Sequence, residues 1–116
     1  MAVARERRKH NRILLNWPGV VVTPQRYLGG EAKNISVGGA AVVCTRDPGR
    51  SESLRLAIKI PTSEELLQVK GIVVWSNLMA QLNDLYGCET GIRFTGFMGR
   101  SRQYLAEAIA ECVRLN

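Results

Sequence analysis

Two stretches of this chain carry residue types that together could hold a ligand. One is Arg8-Lys9-His10-Asn11-Arg12; the other is Asn34-Ile35-Ser36-Val37-Gly38-Gly39. The Arg8-x-x-x-Arg12 spacing keeps two guanidiniums close whether the segment is helical or wraps a ligand. Arginine forks bind phosphate oxygens in pairs and stay charged. They also match the O6 and N7 acceptors of guanine, and their planes stack on bases. Two forks so near each other suit an anionic ligand that carries both phosphates and guanines. Arg7 directly precedes this pair.

The second stretch offers a different surface. Side chains alternate between the two faces of an extended strand. Asn34 and Ser36 therefore point one way, over an apolar anchor of Ile35 and Val37. The Asn34 amide both donates and accepts, so it can pair with a base edge, and Ser36 adds one adaptable hydroxyl. Gly38 and Gly39 permit unusual backbone angles and let a flat ligand approach the main chain. Their N–H groups would stay uncovered for an anion. Taken without the arginines, these six residues read equally well as a strand running into a glycine turn.

The elements that must position these groups come next. The 116 residues fit one domain, and 46% hydrophobic residues suffice for one compact core. The net charge is +6. Residues 1–12 hold five basic residues against one acidic, which is +4 of that total and leaves +2 for the other 104. A basic arm on a near-neutral body points to a local anionic partner and away from a broad RNA or DNA surface. Residues 1–12 are expected to be mobile without ligand, and residues 13–116 to form the folded domain.

Ile13 to Thr23 is rich in β-formers and broken by Pro18-Gly19, which predicts an edge strand with a bulge or late start. Tyr27 to Val37 reads as a second strand with an irregularity at Gly29-Gly30, and Gly39 to Thr45 as a third. Ser53 to Ile60 alternates cleanly, with Leu54, Leu56, Ile58 and Ile60 on one face. Leu66 to Trp75 and Tyr86 to Thr95 complete the set. Ser76 to Leu85 reads as a loop or helical turn. Leu105, Ala108, Ile109, Cys112 and Val113 then recur at helical spacing, which predicts a helix from Ser101, its N-cap, to Leu115. Trp17 and Trp75 sit among apolar neighbours and are assigned to the core, although either ring could stack on a base. Adjacent strands with short links favour antiparallel pairing, and about six of them favour closure, which removes exposed edges. The fold class is all-β with one helix: a six-stranded antiparallel barrel plus a C-terminal α-helix.

Several function classes lack their residues. Cys44, Cys88 and Cys112 are odd in number and widely spaced, and His10 is the single histidine, so disulfide and metal chemistry lack partners. Neither Gly-x-Ser-x-Gly nor a phosphate-binding Gly-x-x-x-x-Gly-Lys loop occurs, and the adjacent pair Glu64-Glu65 falls in a loop. The expectation is a protein without catalysis or cofactor. The longest apolar runs are far too short to span a bilayer, and the N-terminus has no apolar signal core. A cytoplasmic protein without membrane insertion is the default.

Arg-x-x-x-Arg followed by Asn-x-Ser-x-x-Gly resembles the paired signature of the PilZ domain family, cytoplasmic receptors for cyclic di-GMP. Gly91-Ile92-Arg93-Phe94 is similar to that family's recurrent last-strand motif. The resemblance runs from about Arg7 to the C-terminal helix. It implies a six-stranded antiparallel barrel whose N-terminal segment closes over the dinucleotide. It further implies that Arg8 and Arg12 grip guanine and phosphate, with Arg7 as an extra phosphate contact, while Asn34, Ser36 and Gly39 line the opposite wall. Asn34 stands where the family most often has Asp. Arg93 is read as an outward, solvated charge. In this reading ligand binding changes the exposed surface, and a downstream effector protein reads the closed form. Two alternatives stay open: a protein-interaction module that does not bind the nucleotide, and a small barrel binding single-stranded RNA.

Overall fold

The computed structural model describes residues 13–49, 53–61, 63–78 and 87–115. Among the described residues six strands precede one helix: β1 (Ile13–Val22), β2 (Tyr27–Ser36), β3 (Gly39–Cys44), β4 (Leu54–Lys59), β5 (Leu66–Leu78), β6 (Cys88–Phe97) and α1 (Ser101–Leu115). They form a closed barrel in the order β1-β2-β3-β6-β5-β4, with every pair antiparallel. The predicted all-β barrel with a C-terminal helix is the observed fold.

Alternation builds the interior. Leu54, Leu56 and Ile58 of β4 are at most 1% exposed, while Arg55 and Lys59 lie outside. On β6, Ile92 and Phe94 point in and Arg93 and Thr95 point out. Leu105 and Ala108 of α1 join the same core, and the helix packs on β5 and β1.

Four expectations are corrected. β1 is not an edge strand, because β4 closes onto it. Its pairing with β4 begins at Gly19, one residue after Pro18, whose missing N–H would have interrupted it. The irregularity in β2 falls between Ala32 and Asn34 rather than at Gly29-Gly30. There Lys33 turns to the surface and bonds Asn16 at 2.9 Å and Glu31 at 2.7 Å. β5 runs on through Ser76 to Leu78, because β6 gives those residues partners up to Cys88. Ser101 is the first helical residue and not a cap for its own helix. Its Oγ accepts the Gln68 N–H of β5 at 2.9 Å and so ties α1 to the barrel.

The two tryptophans part company. Trp17 is buried in the core as expected, at 7% exposure. Trp75 is 41% exposed. The bulge between Val73 and Trp75 carries its indole outside the barrel, directly over Gly91.

Cys44 and Cys88 face each other across β3 and β6, both buried. Burial pushes the Cys44 thiol from 9.0 up to about 11; a hydrogen bond with Thr90 opposes this, and Cys88 and Asp47 add to it. The folded state thus favours the neutral thiol. That stabilisation is full below the unfolded value and is lost as pH rises toward 11. Cys44→Ala should flatten the fall in melting temperature between pH 9 and 11 relative to wild type, as followed by circular dichroism. Ser101→Ala should cost about 1–3 kcal/mol in urea unfolding, because the Gln68 N–H is left without its acceptor.

Candidate ligand-binding site

The Asn34–Gly39 stretch is the end of β2, a two-residue turn and the first residue of β3. Ile35 anchors it from inside the barrel with no exposed surface. Asn34 is half-buried on the outer face. Ser36 was expected to project as a free polar group. Instead it is only 3% exposed, and its hydroxyl closes the turn: Gly38 N–H donates to Ser36 Oγ at 3.1 Å, and Oγ contacts the Gly39 carbonyl at 3.5 Å. Serine hydroxyls commonly bond the main chain two residues on in this way. The Gly38 N–H is therefore already used, contrary to the expectation of an uncovered anion donor. The Gly38 carbonyl in turn accepts the Phe94 N–H of β6 at 2.9 Å.

Gly39 is required for a reason other than ligand approach. It does not adopt a left-handed backbone angle. A Cβ placed on it would stand 2.3 Å from the main-chain oxygen of Ile92. Its missing side chain is filled by β6, whose Arg93 pairs with Gly39. The motif thus welds the turn to the last strand.

The other half of the predicted site, Arg7, Arg8 and Arg12, lies outside the described residues. The start of β1 nevertheless bears on it. Ile13 pairs with Ile35, and Leu14 pairs with Asn34. β1 therefore opens beside the turn, in the middle of the second motif. Among the described residues no cluster of three or more His, Cys, Asp or Glu could hold a metal ion.

A groove of about 530 Å³ runs between this turn and the helix start, lined by Val37, Gly99, Arg100, Arg102, Gln103 and Ala106. Sequence reasoning did not anticipate it. Val37 was read only as an anchor, and nothing local marks that α1 returns to the β2–β3 turn.

The PilZ domain model matches residues 6–111. The chain belongs to the PilZ family. Solved structures agree on the architecture. The inhibitor of motility MotI/DgrA of Bacillus subtilis superposes with a TM-score of 0.67 at 24% identity, covering 93% of this chain and 50% of that one. The PilZ domain of YcgR from Escherichia coli, solved with c-di-GMP, gives 0.66 at 12% identity, covering 93% and 92%. The MrkH–c-di-GMP complex of K. pneumonia gives 0.61 at 17% identity, covering 95% and 56%. This PilZ chain thus spans about half the length of MotI and MrkH. At such identities the likeness establishes the shared fold. No curated protein sequence matches the chain.

Gly39→Ala should destabilise this PilZ domain by about 1–3 kcal/mol, since the clash is with backbone that cannot step aside. Gly29→Ala is the control, because a Cβ there meets nothing within 4 Å. Denaturant midpoints of the two variants should diverge accordingly.

Proposed function

We propose that this PilZ domain is a cytoplasmic receptor and adaptor for cyclic di-GMP, and not an enzyme. Its ligand would be gripped between Arg8 and Arg12, with Arg7 as an extra phosphate contact, and the outer face carrying Asn34, Ser36, Gly38 and Gly39. One observation carries the reading. β1 begins opposite Ile35, so the residue that follows the arginine motif in the chain lies between Asn34 and Ser36 in register. Arg12 and Asn34 are 22 positions apart in sequence, yet Ile13, the residue after Arg12, pairs with Ile35 beside Asn34. The chemistry agrees, because guanidinium forks serve both phosphates and guanine edges. YcgR and MrkH, which share the fold, were solved with c-di-GMP.

Binding would order the basic lead-in against the barrel and change the surface that an effector protein sees. No described helix is long and apolar enough to cross a membrane.

Saturating cyclic di-GMP should raise the melting temperature, since a ligand that binds only the folded state stabilises it by mass action. Arg12→Ala should lose a bidentate contact worth ~1–3 kcal/mol, a drop of roughly 5- to 150-fold in affinity by titration calorimetry. Wild-type affinity in that variant would end the assignment. Binding that instead grows with the length of single-stranded RNA and falls steeply with salt would point to the RNA-binding alternative.

A further inference from the structure

The far side of the barrel carries a second feature. In the ring order β1-β2-β3-β6-β5-β4, β4 stands opposite β3 and so away from the candidate ligand site. Leu54, Leu56 and Ile58 point into the core, which turns Arg55, Ala57 and Lys59 outward. Register continues the outward row on both sides of Arg55. Tyr27 pairs with Val22, Val22 with Arg55, Arg55 with Lys70, and Lys70 with Gly96. The neighbouring row runs through Gly29, Val20, Ala57 and Gln68. Neither row contains an acidic residue.

Arg55 and Lys70 are thus like charges directly opposite each other, and both are exposed. Such a pair destabilises a sheet. Among the described residues neither makes an ion pair or a side-chain hydrogen bond. The apolar residues beside them are open too, with Tyr27 78% and Val20 40% exposed. A Cβ on Gly29 or Gly96, at the edges of this patch, would meet nothing within 4 Å. At about 4.8 Å per strand, roughly 14 Å separates Tyr27 from Lys70.

We propose that this face docks an acidic segment of a partner protein, with carboxylate between Arg55 and Lys70 and an apolar side chain against Tyr27, Val20 and Val22. Charge complementarity selects the occupant. A carboxylate removes a repulsion that the fold alone leaves in place. The apolar half selects a protein over a nucleic-acid strand, whose binding rests on phosphates along its length and would leave Val20 and Val22 unmatched. Tyrosine and arginine are also the side chains that most often anchor protein interfaces. The surface adds to the adaptor reading above without depending on it, because it shares no residue with the candidate ligand site.

The test uses the full chain and fluorescence anisotropy. The probe is a fluorescein-labelled synthetic peptide of glutamate with interspersed leucine, and oligothymidine is the polyanion without apolar side chains. Wild type should bind the peptide, and should bind a version with serine for leucine more weakly. Lys70→Glu turns the repulsive pair into an attractive one. It should raise the melting temperature by roughly 1–5 °C and yet weaken peptide binding about tenfold. Tyr27→Ala should weaken it roughly 5- to 30-fold. Both variants should match wild type toward cyclic di-GMP in titration calorimetry. The docking surface is refuted if the peptide does not bind wild type, or if both variants hold it as tightly as wild type. It is also refuted if Lys70→Glu melts no higher than wild type, or if oligothymidine binds in place of the peptide and is lost in Lys70→Glu. None of these outcomes touches the receptor reading, which cyclic di-GMP binding to wild type decides alone.

Discussion

The main-chain contact between Gly39 and Ile92 is the constraint from which the rest follows. β3 and β6 approach so closely there that no Cβ fits. The approach fixes the register Gly39–Arg93, which aligns Ala41 with Gly91 and Cys44 with Cys88. It also brings the Gly38 carbonyl to the Phe94 N–H. The barrel order depends on this joint, because β3 and β6 are neighbours in space yet separated in sequence by β4 and β5. Closing so long a loop costs entropy, which local pairing does not repay. A fully buried strand such as β3 offsets that cost with the apolar side chains of the five residues that follow Gly39.

The second motif consequently has two tasks. Ser36 and Gly39 are spent on geometry, one closing the turn and the other admitting β6. In doing so they hold the outer face in place. Asn34 is different. It lies on the outer face, with Leu14 of β1 beside it. A binding surface built on paired strands is held more rigidly than one built on a loop. β1, which follows the arginine motif in the chain, opens at the same corner.

Helix attachment follows the same economy. The Ser101 hydroxyl satisfies a β5 amide and ties the start of α1 to the barrel. Arg100 and Arg102 then line the groove beside Val37. The turn that carries the motif and the start of the helix are therefore adjacent.

Strand identity was legible wherever burial has a period. The alternation in Leu54–Ile60, the helical spacing of Leu105, Ala108 and Cys112, and the solid apolar run of β3 each match the structure. Closure was legible too, from strand number and the need to hide edges. Position along a strand was not, because a bulge at Lys33 or after Val73 reflects the partner strand and leaves no local mark. Trp75 shows the consequence: one inserted residue flips every later side chain to the other face. Local sequence by itself determined which segments are strands, which is the helix, and which residue types could meet a guanine and a phosphate. Tertiary structure alone decided that Ser36 closes the turn, that Gly39 serves β6, and that Arg93 and Trp75 share a face with Asn34, since cross-strand register is a property of pairs.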